Sequence, residues 1–440
     1  MNIKLVKALF LLAFLPTVLL SDPADKSKII ITPGLLERAR QGNAAAQLEA
    51  GFAFFRAKNP VRAAYWFYAA ARQNLPEAQY NLGRCFMAGY GVKPNRQKAF
   101  EWFSRAAEQQ LAPAMLECAR FYLSGIEADP DTDPPQKAMA PDEKKAFELL
   151  EKLAKNHYIP AINVYARYLI KKYRNDRQQK IIALLDKAVS RGDAEAQVLL
   201  ADYLLSRSDH HRDEKRARAL LAAAAGKHPQ ARAKLALAVE FGIGAPPMPE
   251  KAFALYKQAL EENFSPNAAA RLANYYYSGS YGVKQDIPRA VELYTRSAAE
   301  GIPEAMTRLG DCCRAGIGVE KDPDKAFELY FQAAKMDYPP AAFALGRAFE
   351  LGEGTPADEQ AAFYWYYQSA MRYEPRGLLE TGRRYMQGKG TGADGRKAVI
   401  FLEQAYANGM TEALPLLEEA RKMPQSQPET TPQATPDFRL

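Results

Sequence analysis

The sequence predicts an all-α, right-handed superhelical solenoid of about ten helix-turn-helix repeats. A small residue recurs at Ala46, Ala78, Ala114, Ala161, Ala196, Ala231, Ala268, Ala305, Ala341 and Gly377, at spacings of 32, 36, 47, 35, 35, 37, 37, 36 and 36. Five places after each stands Gly or Ala, namely Gly51, Gly83, Ala119, Ala166, Ala201, Ala236, Ala273, Gly310, Gly346 and Gly382, and an aromatic usually follows three places later. Glycine pairs then punctuate the units: Gly242-Ile-Gly244, Gly316-Ile-Gly318, Gly352-Glu-Gly354 and Gly388-Lys-Gly390. A near-fixed period with a helical apolar pattern inside it marks stacked units that bury their apolar faces only against neighbours.

Taken in order, the chain opens with two lysines, Lys4 and Lys7, before an apolar run from Ala8 to Leu20. Thirteen residues are too few to span a bilayer core of about 30 Å but suit a secretory leader. Residues 1–21 are therefore expected to be a signal peptide, with an uncleaved N-terminal anchor as the alternative, and 22–34 a linker. Leu35 to Gln41 reads as a leading helix that covers the first repeat.

The second unit, Pro76 to Leu111, shows how a repeat works. Ala78, Leu82 and Phe86 fall on one helical face, and Gly83 beside them admits a second helix at close range. Gly89 ends that helix, because glycine takes the left-handed conformation without steric cost. The second helix is expected from about Arg96 to Gln109, with Ala99, Trp102, Phe103, Ala106 and Ala107 inward. Trp66, Trp102 and Trp365 share one register position in their second helices, which Leu149, Leu184, Leu220, Leu255, Leu293, Leu329 and Phe401 fill elsewhere. Repeats four and five lack the turn glycines, and repeat three carries a Pro- and Asp-rich insertion from Glu127 to Pro141. Thr411 to Lys422 reads as a trailing cap of a repeat body ending at residue 423, and the Pro/Gln/Thr-rich residues 424–440 as a disordered tail.

These residues resemble the Sel-1-like repeat family, a relative of the tetratricopeptide repeats. The resemblance is carried by AMTRLGDCCRAGIGVEKDPDKAFELYFQAAK from Ala305 and by AAFALGRAFELGEGTP from Ala341, and its motif recurs over most of the chain. The spacing near 36 and the Gly-x-Gly turn separate it from tetratricopeptide repeats, whose period is about 34. The resemblance implies a helical scaffold that assembles protein complexes, supports secretion or polysaccharide export, or engages host molecules. Some relatives are named for β-lactam binding or hydrolysis. The S-x-x-K pattern such chemistry would use is absent, since no serine stands three places before a lysine.

No other catalytic, cofactor or metal signature stands out. H-E-x-x-H, G-x-S-x-G and the P-loop are missing, and GKGTGADGRK at Gly388 is the repeat turn. His210 and His211 lie in a charged loop without a second ligand pair. Cys85 and Cys118 sit on equivalent helices of neighbouring repeats and read as small buried hydrophobes, with a bridge as the alternative; Cys312 and Cys313 read as thiols. No cofactor is expected.

The functional expectation is an exported, periplasmic or secreted, non-enzymatic scaffold for a protein or peptide. The position six after each opening residue carries arginine in five repeats: Arg84, Arg120, Arg167, Arg347 and Arg383. By resemblance to tetratricopeptide stacks this position lines a concave face, and the guanidinium fork suits carboxylates, phosphates and sulfates. A second basic feature, read as a loop of the glycine-poor repeat four, comprises Lys171, Lys172, Arg174, Arg177 and Lys180 and carries net +4 over ten residues. It makes an acidic polysaccharide the alternative partner. A net charge of +8, or +6 without residues 1–21, is too low to argue for nucleic acid. No segment after the leader is apolar enough to span a membrane.

Overall fold

The computed structural model describes residues 31–129, 138–173, 176–207 and 213–423. The chain divides into two compact units, residues up to Tyr203 and residues from Leu204 onward. In the first unit a leading helix, α1 (Pro33–Arg40), is followed by four helix pairs. These are α2 (Ala44–Arg56) with α3 (Pro60–Ala71), α4 (Pro76–Ala88) with α5 (Arg96–Glu108), α6 (Ala112–Ser124) with α7 (Glu143–Lys155), and α8 (Ile159–Tyr173) with α9 (Gln178–Val189). The division falls inside α10 (Ala194–Leu205). The second unit continues with α11 (Glu214–Ala224), then α12 (Ala231–Glu240), α13 (Pro249–Glu262), α14 (Pro266–Ser278) and α15 (Ile287–Ala299). It ends with α16 (Pro303–Ala315), α17 (Pro323–Lys335), α18 (Pro339–Leu351), α19 (Glu359–Ala370), α20 (Pro375–Gln387), α21 (Gly395–Ala407) and the short α22 (Ala413–Ala420). Consecutive helices pack on one another from α1 to α9 and from α11 to α22, so the described residues form an all-α solenoid of alternating first and second helices.

Each helix boundary has a local cause. Eight second helices begin at an Asn or Asp whose side chain accepts a hydrogen bond from a backbone N–H in the first turn. Asn95 accepts from Lys98 at 2.8 Å, Asp322 from Lys325 at 2.9 Å and Asp394 from Lys397 at 3.0 Å. First helices α4, α6, α14, α16, α18 and α20 open with proline in the first turn, where its missing N–H leaves no bond unmade. Gly89, Gly279, Gly316, Gly352 and Gly388 end first helices in the left-handed conformation. Repeat four lacks that glycine, and α8 runs for 15 residues instead of the usual 13. The insertion of repeat three is pinched at its base, where Ile126 and Met139 exchange two backbone hydrogen bonds of 2.8 Å.

The core repeats one contact. The residue after the tryptophan register is almost fully buried in all ten second helices: Phe67, Phe103, Leu150, Leu185, Leu221, Tyr256, Tyr294, Tyr330, Tyr366 and Leu402. Several of these press against the small residue of the first helix. A Cβ added at Gly83 would sit 2.7 Å from the Phe103 ring, one at Gly310 2.7 Å from Tyr330, and one at Gly346 2.8 Å from Tyr366. The expected close approach at Gly83 is therefore present, and a ring fills it. The tryptophans are more peripheral than the sequence suggested: Trp66 is buried, but Trp102 and Trp365 are half-buried and touch Tyr68 and Phe331 edge-on across 6.3 Å. The register lies nearer the rim than the residue after it, although Leu184, Leu220 and Leu293 are buried there as well.

Two glycines of one turn separate packing from backbone freedom. Gly390 has φ +69°, and a Cβ there would fall on the Glu359 carbonyl oxygen, whereas nothing lies within 4 Å of a Cβ at Gly392. Gly390→Ala should lower unfolding free energy by about 2–4 kcal/mol, combining a left-handed alanine with an overpacked contact. Gly392→Ala should change it by less than about 0.5 kcal/mol. Urea unfolding followed by circular dichroism checks both, and equal midpoints would remove this role of the turn glycine.

Candidate functional site

The buried tyrosines of the second unit show where their face of the helix pairs emerges. Tyr256 donates its hydroxyl to Glu240 at 2.7 Å, Tyr294 to Asn274 at 2.6 Å, Tyr330 to Asp311 at 2.8 Å and Tyr366 to Glu350 at 2.7 Å. Burial pushes all four hydroxyls above the ordinary tyrosine range, so they stay protonated and act as donors. Asn274 and Asp311 hold the position six after the opening small residue, and Glu240 and Glu350 the position nine after it, one helical turn further along the same face. The arginine register thus lies where the core rings end and the polar surface begins.

The five predicted arginines occupy that position in two groups. In the first unit Arg84 lies over the Tyr80 ring at 5.8 Å, and its Nη1 is buried without a hydrogen-bond partner. Arg120 stands 3.8 Å from Glu117, and Arg167 reaches Glu195 at 2.7 Å. In the second unit Arg383 binds Glu380 at 2.7 Å, while the Nε of Arg347 is buried without a partner. Burial raises the Glu117 carboxyl above the usual carboxylate range against the pull of Arg120 and Arg84. Glu380 is raised in the same way, with Arg383 opposing.

Two more arginines organise the second unit. Arg271 grips Glu240 with Nη2 at 2.8 Å and Nε at 3.1 Å, and reaches Glu304 with Nη1 at 3.0 Å. Glu304 also accepts from Asn274 at 2.9 Å, so three successive first helices are tied together. Arg384 is only 2% exposed, lies 4.9 Å from the Tyr366 ring centre, and pairs with Glu350 at 2.9 Å and Glu359 at 2.5 Å. The sequence does mark it: every other repeat has a small or apolar residue, or tyrosine, seven places after the opening residue.

The second basic feature is mostly not a loop. Lys171 and Lys172 belong to the last turn of the extended α8 and Lys180 lies in α9, so the connection is short. Arg174, His210 and His211 lie outside the described residues. Lys172 is paired with Glu143, Lys180 with Glu151 at 2.5 Å, and Arg177 stacks over Tyr173 at 4.8 Å. Local charge counting missed these acids because they stand on the preceding second helix. All four cysteines are buried free thiols. Burial pushes Cys85 up to about 11 and Cys118 up to about 12, which keeps both protonated near neutral pH. Among the described residues no group of His, Cys, Asp and Glu has metal-site geometry, and no helix is long and apolar enough to cross a membrane.

The family model described as Sel1 repeat matches residues 44–75, 76–111, 112–158, 194–227, 229–264, 266–302, 303–338, 339–373 and 375–410. The unmatched interval contains α8 and α9, whose turn has lost its glycines. Among solved structures, a protective antigen of uropathogenic Escherichia coli with an SLR fold is 26% identical, with a TM-score of 0.67 over 88% of this chain and 82% of that one. A Sel1 repeat protein from Oxalobacter formigenes is 22% identical over 91% of this chain and 97% of that one, with a TM-score of 0.38. No curated protein matches.

The raised Glu117 carboxyl predicts a pH dependence. A carboxyl whose folded pKa lies above its unfolded value favours the fold below the unfolded value, about 4.3, and that contribution is lost as pH rises through the folded value. Glu117→Gln should therefore raise the melting temperature at pH 7 and leave it nearly unchanged at pH 4. Melting curves at both values test this, and a variant less stable at pH 7 would contradict it.

Proposed function

This chain belongs to the Sel1 repeat family, and on that premise we propose that it is an exported, non-enzymatic scaffold that binds a protein or peptide through its first-helix arginine face. The Sel1-repeat solenoid is a fold typical of protein–protein interaction scaffolds. The observation that carries the finer reading is the state of Arg84 and Arg347, at the same register in different repeats. Each holds a buried guanidinium nitrogen that no described group satisfies. A buried charged donor left without a partner is costly, and an acidic side chain or terminal carboxylate of a guest would supply the missing acceptor. Arg120 and Arg167 extend the row in the first unit, and Arg383 in the second, each with an acid within ion-pair range. Such pairs hold the forks in place, and a stronger acceptor can compete for them.

Export rests on the sequence of residues 1–21. The similar Escherichia coli structure is that of a protective antigen, a description that fits a protein outside the cytoplasm. An acidic glycan held by the 171–180 segment is the weaker reading, because Lys172 and Lys180 already face Glu143 and Glu151.

The test replaces Arg84, Arg120 and Arg167 together by Gln and compares proteins retained from envelope fractions. The wild-type chain should retain a discrete set that the variant loses, while helicity and melting stay close to wild type. An unchanged retained set with a folded variant would refute the arginine face as the binding surface.

A further inference from the structure

The outward face of α3 differs from the same face of the other second helices. Val61, Tyr65 and Tyr68 are 65%, 62% and 46% exposed, and they line up at helical spacing with the exposed Arg62 and Arg72. At the register of Tyr65 four of the other second helices carry an acid, Glu101, Glu148, Glu292 and Glu328, and one carries the exposed Ile400; at that of Tyr68 three carry an acid, Glu151, Asp186 and Glu403, and one carries Phe331. Residues 50–76 contain Arg56, Lys58, Arg62 and Arg72 but no acid. Arg72 lies over the Tyr68 ring at 5.9 Å and Arg62 over Phe54 at 5.4 Å. Beside them the half-buried Trp102 meets Tyr68 edge-on, with Arg105 4.5 Å from its ring centre. Tyr364 and Tyr367 hold the equivalent places in α19, but they are half-buried and follow Asp358 and Glu359.

We propose that this face of the first repeat docks onto an anionic phospholipid surface. Its exposed valine and two tyrosines suit the headgroup boundary, where amphipathic rings settle, and four exposed cations without an intervening acid complement anionic headgroups. The aliphatic Val61, the most exposed of the three, favours lipid over sugar. The chain outside the fold points the same way. Twelve residues, 21–32, separate the apolar run Ala8–Leu20 from α1. They span at most about 40 Å, so a leader retained as an uncleaved anchor would hold the first repeat at that surface. The inference is independent of the arginine face and of its guest.

The experiment is co-sedimentation of the full-length chain with two kinds of vesicle, phosphatidylcholine alone and phosphatidylcholine with about a third phosphatidylglycerol. Two variants are compared with wild type. The first, Val61→Gln with Tyr65→Glu and Tyr68→Ser, installs the residues found at Gln97, Glu101 and Ser104 in the second repeat, where they are compatible with the fold. The second, Arg62→Gln with Arg72→Gln, keeps the tyrosines. The leader is common to all three chains and cancels in the comparison. Wild type should prefer anionic vesicles by about tenfold or more, a preference that falls with salt, and each variant should lose most of it. Equal binding to both vesicles, undiminished binding by both variants, or wild-type retention on alginate in place of vesicles would each overturn the proposal.

Discussion

A large side chain on each second helix is seated against a residue with little or no side chain on the first. Where that residue is Gly51, Gly83, Gly310 or Gly346, the partner is an aromatic ring with no room for a methyl group between them. Where it is Ala119, Ala166 or Ala201, the side chain in register is Leu150, Leu185 or Leu221, smaller by several carbons. The pairing is not strict. Tyr256 and Tyr294 stand opposite Ala236 and Ala273, with their tips fixed by hydrogen bonds, and Leu402 fills the place against Gly382. The constraint sets the depth of each helix pair and the point at which its buried rings emerge. The arginine register occupies that emergence line, so core geometry and the candidate site share one cause.

The period and the small positions were legible because each is repeated ten times, and errors in one unit are corrected by the others. The two most irregular features, the insertion at Glu127–Pro141 and the glycine-poor repeats four and five, were legible as departures. The structure relates them to a pinched bridge at Ile126 and Met139 and, in repeat four, to a longer helix. What escaped was anything set by the neighbouring layer. The tryptophan register looks like the core in sequence, yet the residue after it is the one enclosed, a difference of one position that apolar periodicity does not resolve. Aspartate starts six of the ten second helices, and its bond to a first-turn backbone N–H was not singled out from the sequence.

The ionic pattern has the same origin. Lys172 and Glu143 are 29 residues apart, as are Lys180 and Glu151, so a window of ten residues sees only the cations. Arg271 finds Glu240 and Glu304 at one repeat's distance on either side. Stacking therefore converts local charge runs into interlayer ties, and a cation in such a protein is most readily available to a guest where the adjacent layer offers no acid. Arg84 and Arg347 each keep a buried nitrogen unsatisfied on the inner register, and the acid-free stretch around α3 gives the first repeat an outward face of different chemistry. The two surfaces lie on different helices of the repeat and suit different partners.

The seating of Phe103 against Gly83 can be measured directly with a double-mutant cycle in Gly83→Ala and Phe103→Leu, which recreates the pair found at Ala119 and Leu150. In an unconstrained helix Gly→Ala stabilises by about 0.5–1 kcal/mol. Here each single substitution should destabilise, the first through overpacking and the second through lost volume, by about 1–3 kcal/mol each. The double variant should recover part of the loss, with a coupling energy of about 1 kcal/mol or more. A stabilising Gly83→Ala, or strictly additive losses, would contradict the view that this contact governs the repeat.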